Sequence, residues 1–116
     1  MTSPAPPAAE DAASMVYVTC GSREEALILA RSVVTERLAA CANILDGMHS
    51  IYWWQGEISE DDETVVVFKT AAQRVAALTE RILALHSYDV PCVVEIPLGG
   101  GNAAYFDWIA AETAPQ

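Results

Sequence analysis

"SIYWWQGEI", residues Ser50 to Ile58, sets Tyr52, Trp53 and Trp54 side by side and holds two of the chain's three tryptophans. In a β-strand, successive side chains point to opposite faces, so Trp53 and Trp54 look in opposite directions. One of them can fill the domain's own core. The other then needs a cover from elsewhere.

The flanking residues continue the strand on both sides. "CANILDGMH", Cys41 to His49, is extended, with Gly47 as a bulge or bend. "SEDDE", Ser59 to Glu63, reads as a solvated hairpin turn, and "TVVVFKT", Thr64 to Thr70, as the returning strand. Before this hairpin, "MVYVTC", Met15 to Cys20, is a β-branched and aromatic strand. Ser22 and Glu25 form a capping box that opens a helix running to about Ala40, with Leu27, Ala30, Val34 and Leu38 as its apolar stripe. After the hairpin, a second helix carries Val75, Leu78, Ile82 and Leu85 on one side. "PCVVEIP", Pro91 to Pro97, is a fourth strand whose bounding prolines suit a sheet edge. Asn102 caps a short last helix with Tyr105, Trp108 and Ile109 on its stripe.

The order β-α-β-β-α-β-α predicts an α+β, ferredoxin-like βαββαβ sandwich with an extra C-terminal helix. Right-handed crossovers place both main helices on one face of the sheet and leave the other bare. A bare face should alternate apolar with polar residues. Here Val65 to Phe68, Ile51 to Trp54, and Val93 with Val94 are apolar in both parities. Leaving such side chains in water forgoes roughly 1.5–3 kcal/mol each. The last helix is too short to cover them, so copies of the same chain are the expected cover. Trp53 and Trp54 are expected to face two cores, one within the domain and one between subunits, with Tyr52 and Trp108 joining the interface.

A chain of 116 residues makes one domain. Residues 1–14, rich in Pro, Ala and acid, read as a disordered tail, and 15–116 as the folded domain. Sixteen acidic against six basic residues give a formal charge of −10, which excludes a phosphate-backbone footprint and hence nucleic acid. There is neither an apolar run of bilayer length nor a secretory leader, so no membrane partner is expected. Three cysteines without framework spacing suggest reduced thiols in a cytoplasm.

"LAACANI" (Leu38 to Ile44), "YWWQGEI" (Tyr52 to Ile58), "FKT" (Phe68 to Thr70), "LHSYDVP" (Leu85 to Pro91) and the pair Tyr105 and Trp108 occur in an order and spacing that resemble the CutA family of divalent-cation tolerance proteins. The resemblance covers residues 15 to about 113. It implies a tight homotrimer assembled like the PII signalling proteins, tolerance of copper and other divalent metals, and weak binding of copper or another divalent cation. The ligands it implies are His86 and Cys20, and Cys92, which stands where the family has a glutamate, is added to them as a soft donor on its own chemistry. It also implies a small-molecule cleft between subunits lined by Cys41, Trp54, Lys69 and Tyr88. Two departures stand out. Where the family reads His-Pro-Tyr, two residues, then Pro-Glu, this chain has His86-Ser87-Tyr88, then Pro91-Cys92, and Leu85 precedes His86 where some members carry a second histidine.

The residues themselves leave alternatives open. Cys41 and Cys92 read either as buried fillers or as soft ligands suited to copper. His86, at a helix C-terminus, reads as a cap or as a ligand, and His49 as structural or solvent-facing. Glu60 to Glu63 lack the spacing of a calcium loop. Lys69, the only lysine, lies in phase with Val65 and Val67 and needs a carboxylate across an interface or a bound anion. The Gly99–Asn102 helix start lacks the residues of a nucleotide loop. No Ser-His-Asp set, metalloprotease helix or paired-cysteine motif is present, so a binding protein is expected and not an enzyme. The alternative to metal tolerance is a PII-like trimer that binds a small anionic metabolite between subunits.

Overall fold

The computed structural model describes residues 12–115. Eight elements follow one another: strand β1 (Ala13–Cys20), helix α1 (Arg23–Thr35), strands β2 (Cys41–Trp54) and β3 (Glu57–Ala71), a 3-10 turn (Ala72–Arg74), helix α2 (Val75–Leu85), strand β4 (Val93–Pro97) and helix α3 (Ala103–Glu112). The sheet order is β2-β3-β1-β4, and every pair is antiparallel. This is the ferredoxin-like α+β arrangement, with β4 on an edge as its prolines require. β1 begins at Ala13, two residues before the predicted start, because Ala13 and Ser14 pair with Ala71 and Thr70. Residues 1–11 of the expected tail lie outside the described residues.

One sheet face carries Val16, Val18, Cys20, Val66 and Phe68 against Ala26, Leu29, Ala30 and Val33 of α1 and Leu78 and Ile82 of α2. The buried stripe of α1 is therefore turned by about one residue from the predicted Leu27–Ala30–Val34 line. The helix also stops at Thr35, short of the predicted Ala40. Arg37 takes a left-handed φ of 60°, and Arg37 N–H and Leu38 N–H close back on the carbonyls of Val34 and Val33. That is a Schellman stop with arginine in the place glycine normally holds. Arg37 is held there by Glu112, whose carboxylate lies 3.0 Å away.

The hairpin turn is not at Ser59–Glu63. It is the two-residue turn Gln55–Gly56, with φ of 52° and 81°. Positive φ at both central residues marks the I′ type, whose twist matches that of the flanking strands. The acidic run instead lies within β3, with Asp62 opposite His49 and Glu60 opposite Ile51. Gly47, at φ 84°, takes up the register shift between Leu45 and Met48, as the bulge reading requires.

Moving the turn outward has a consequence for the tryptophans. β2 and β3 extend as an arm, and neither tryptophan enters the domain's core: Trp53 is 72% exposed and Trp54 46%. The expectation that one of them fills the tertiary core is corrected. Ile51, Trp53 and Ile58 form one apolar face of the arm and Tyr52 with Trp54 the other, all of them exposed.

Candidate functional site

The helix-free face of β3 runs from Glu63 through Val65 and Val67 to Lys69, and its two ends carry different chemistry. Six residues of strand span about 20 Å. At the Lys69 end, Cys41 is the cross-strand partner of Lys69. The Cys41 thiol lies 3.8 Å from the Tyr105 hydroxyl, and the Lys69 ammonium lies 5.6 Å from the centre of the Tyr105 ring. Trp108 packs on Tyr105 with ring centres 5.6 Å apart. Among the described residues, no carboxylate comes within ion-pair distance of Lys69.

At the Glu63 end, a cavity of about 490 Å³ opens between the root of the arm and the loop joining α2 to β4. Tyr52 and Trp54 from β2, Asp61 and Glu63 from β3, and Tyr88 and Cys92 from the loop line it. The Tyr52 hydroxyl donates to Asp61, and the Tyr88 hydroxyl donates to Glu63 at 3.1 Å. Burial, followed by the nearby Glu63, pushes the Tyr88 phenol well above its ordinary range and so keeps it a donor. Burial, then Glu63, likewise raises the Cys92 thiol. Of the four residues expected to share a cleft, one chain brings Trp54 and Tyr88 together and Cys41 and Lys69 together, but not one pair with the other. A single cleft containing all four needs two chains.

Behind the cavity, on the helix side of the sheet, Cys20, Glu25 and His86 place a thiol sulfur, a carboxylate oxygen and an imidazole nitrogen within 4.8 Å of one another. β1 ends at Cys20, α1 begins three residues later, and α2 ends at Leu85, so three element termini converge here. His86 and Glu25 are already engaged. His86 donates from Nε2 to the Thr19 carbonyl at 2.7 Å and accepts the Tyr88 N–H at Nδ1 at 3.0 Å. His86 does cap α2 through its N–H to the Ile82 carbonyl, and its buried ring serves the backbone through both nitrogens. Burial pushes the Cys20 thiol up to about 12, and the charges of Glu25 and Glu63 add to the shift. Burial also acts to raise the Glu25 carboxyl, but hydrogen bonds from Ser87 and Gly21 outweigh it and hold the group below its ordinary value.

Glu25 is the member that sequence reading missed as a donor. The Ser22 hydroxyl accepts the Glu25 N–H at 3.1 Å, as a capping box requires. The Glu25 carboxylate does not return to Ser22. It bridges the N–H groups of Gly21 at 3.2 Å and Ser87 at 3.0 Å. Cys92, expected beside His86 and Cys20, lies outside this donor group and lines the cavity instead. His49 is solvent-facing, between Asp62 at 2.8 Å and Glu60 at 2.9 Å.

Residues 14–112 match the profile of the family described as CutA1 divalent ion tolerance protein. The chain belongs to the CutA1 family. A CutA divalent-cation tolerance protein from Thermus thermophilus is 46% identical over 99 residues, which cover 85% of this chain and 96% of that protein. The chloroplastic CutA 1 protein of Oryza sativa is 43% identical over 99 residues, and there the matched part spans 56% of the relative's length. The crystal structure of CutA1 from Oryza sativa superposes with a TM-score of 0.87 at 41% identity, covering 90% of this chain and 96% of that one. The CutA1 fold therefore holds this chain's site residues on the same framework of strands and helices. No helix among the described residues is long and apolar enough to cross a membrane.

Proposed function

We propose that this CutA1 chain works as a cytoplasmic homotrimer in divalent-cation tolerance, binding copper or another divalent cation weakly, without catalysis. The observation that carries the metal reading is the Cys20–Glu25–His86 group, with sulfur, oxygen and nitrogen donors converging within 4.8 Å. Thiolate with imidazole suits copper over harder cations. The same group accounts for weakness: an incoming ion has to displace the Cys20 proton and break a hydrogen bond to His86. Three free cysteines agree with a reducing compartment. The exposed faces of the arm, with Tyr52, Trp53 and Trp54, and Trp108 on α3 supply the apolar surface that an interface would bury. A PII-like closed trimer also unites the Cys41–Lys69 end of one subunit with the Trp54–Tyr88 end of its neighbour.

A second reading rests on Lys69. An ammonium that has no carboxylate partner among the described residues, in a chain of formal charge −10, is a receptor for a small anionic metabolite in that inter-subunit cleft. The two readings separate by ligand sign. Copper retained at about one ion per chain in native mass spectrometry, and lost in Cys20→Ala and Glu25→Gln, supports the metal reading. No retention by the reduced wild type contradicts it, and saturable anion binding that Lys69→Met abolishes supports the alternative.

A further inference from the structure

We propose that the start of the α2–β4 loop is a latch on the Cys20–Glu25–His86 group: cation binding there releases Ser87 and Tyr88 and so reports metal occupancy to the junction between subunits. The latch rests on the metal reading of that group and adds to it a route to the cleft.

The His86 ring requires the release. A neutral imidazole has one N–H and one ring lone pair. Its partners fix which nitrogen carries which, because a carbonyl only accepts and an amide N–H only donates. Nε2–H donates to the Thr19 carbonyl at 2.7 Å, and Nδ1 accepts the Tyr88 N–H at 3.0 Å. Ligation through Nδ1 takes the lone pair that holds Tyr88. Ligation through Nε2 needs the proton on Nδ1 instead, which then meets the Tyr88 N–H donor against donor. By either nitrogen, the Tyr88 N–H loses its acceptor.

Glu25 holds the preceding residue. Oε1 of its carboxylate accepts the Gly21 N–H at 3.2 Å, and Oε2 accepts the Ser87 N–H at 3.0 Å. A cation ligated by this carboxylate draws on the same charge and so competes with the Ser87 N–H. Two successive backbone N–H groups thus close the donors in the metal-free protein, and both loosen together.

Tyr88 carries the change to the cleft. Its hydroxyl donates to Glu63 at 3.1 Å, at one end of the inter-subunit cleft. Its ring lies 4.7 Å from that of His86 and across the end of β1, where a Cβ on Gly21 would meet the hydroxyl oxygen at 3.2 Å. One residue therefore has its N–H on the donor group and its phenol in the cleft wall. Such coupling is reciprocal: binding that opens the loop is strengthened by whatever else opens it.

The test uses zinc on the reduced whole chain, since zinc takes sulfur, nitrogen and oxygen ligands without oxidising thiols. Affinity is read by competition with a chromophoric chelator, and hydrogen exchange is read amide by amide by NMR. At saturating zinc, the Ser87 and Tyr88 amides should exchange about ten-fold faster than in the metal-free protein, the loss of roughly one hydrogen bond each. The β1 amides of Val16 and Val18 should not accelerate. Ser87→Pro removes one latch N–H, and the extended His86 backbone (φ −75°, ψ 143°) suits a following proline. It should bind zinc about ten-fold tighter. Tyr88→Phe, which frees the other end of the latch, should bind about three-fold tighter, whereas a merely structural role gives no tightening. Where Ser87→Pro alters the circular dichroism, Tyr88→Phe decides. Suppose Cys20→Ala abolishes zinc binding, but the two amides stay protected or neither variant binds tighter than wild type. That result overturns the latch and leaves the metal reading standing. Zinc binding indifferent to Cys20→Ala, or no binding, overturns both.

Discussion

His86 and Thr19, 67 residues apart, are joined by a 2.7 Å hydrogen bond from the imidazole Nε2–H to the Thr19 carbonyl. The bond ties the exit of α2 to the last turn of the sheet at β1, and the other ring nitrogen fixes Tyr88. His86→Ala therefore leaves a buried carbonyl without its donor. The expected cost is about 1–3 kcal/mol, read as a lower urea midpoint at unchanged m-value. An unaltered midpoint would show that the ring is dispensable to the fold and is retained for binding alone. This structural part is why the metal reading is better probed at Cys20 and Glu25.

The turn at Gln55–Gly56 makes a sharper statement. Gly56 sits at φ 81°, where any other L-residue is strained, so Gly56→Ala should cost about 1–2 kcal/mol. Gln55→Asn should gain a few tenths of a kcal/mol, because asparagine tolerates positive φ better than glutamine. Paired denaturation curves check both. Equal, negligible effects would place the turn elsewhere, at the acidic run.

His49 gives the pH dependence. Its hydrogen bonds to Asp62 and then to Glu60 raise the ring above its ordinary value of 6.5. A raised folded-state value means that the stabilising contribution is fully present below the unfolded value and fades as pH rises through the folded one. The stability gap between wild type and His49→Gln should thus be wider at about pH 5.5 than at about pH 9. High salt should shrink it, since the group is exposed. A gap that widens with pH would contradict the arrangement.

Cys20 should be chemically silent. With its thiol pushed up to about 12 and fully buried, almost no thiolate exists at neutral pH. Iodoacetamide labelling followed by mass spectrometry should leave Cys20 unmodified in the folded protein and modify it after unfolding. Labelling of Cys20 at the rate of a free thiol in native protein would undo the description of the donor group.

Topology was legible because the β-branched runs and apolar stripes repeat at strand and helix periods, and because capping residues such as Ser22 and Asn102 carry a local signal that tertiary packing did not override. The turn was not. Four consecutive acids imitate a solvated loop, while Gln55 lacks the asparagine that usually announces a two-residue hairpin. The end of α1 was hidden for a similar reason, since Arg37 occupies the left-handed position with help from Glu112, which is distant in sequence. Glu25 was read only as a cap, because its link to Ser87 depends on the return of α2 to the end of β1. The separation of Trp54 from Lys69 likewise emerges only from strand register. What the alternation at Trp53 and Trp54 did reveal was an apolar surplus on both sides of one strand.

That surplus is the centre of the account, and sedimentation equilibrium of the reduced, tag-free protein at micromolar concentration tests it most directly. The predicted result is a single species of three times the 12.5 kDa chain mass, weakened towards monomer by Trp53→Glu. A wild-type protein that sediments as a 12.5 kDa monomer would leave the arm bare in water and contradict it.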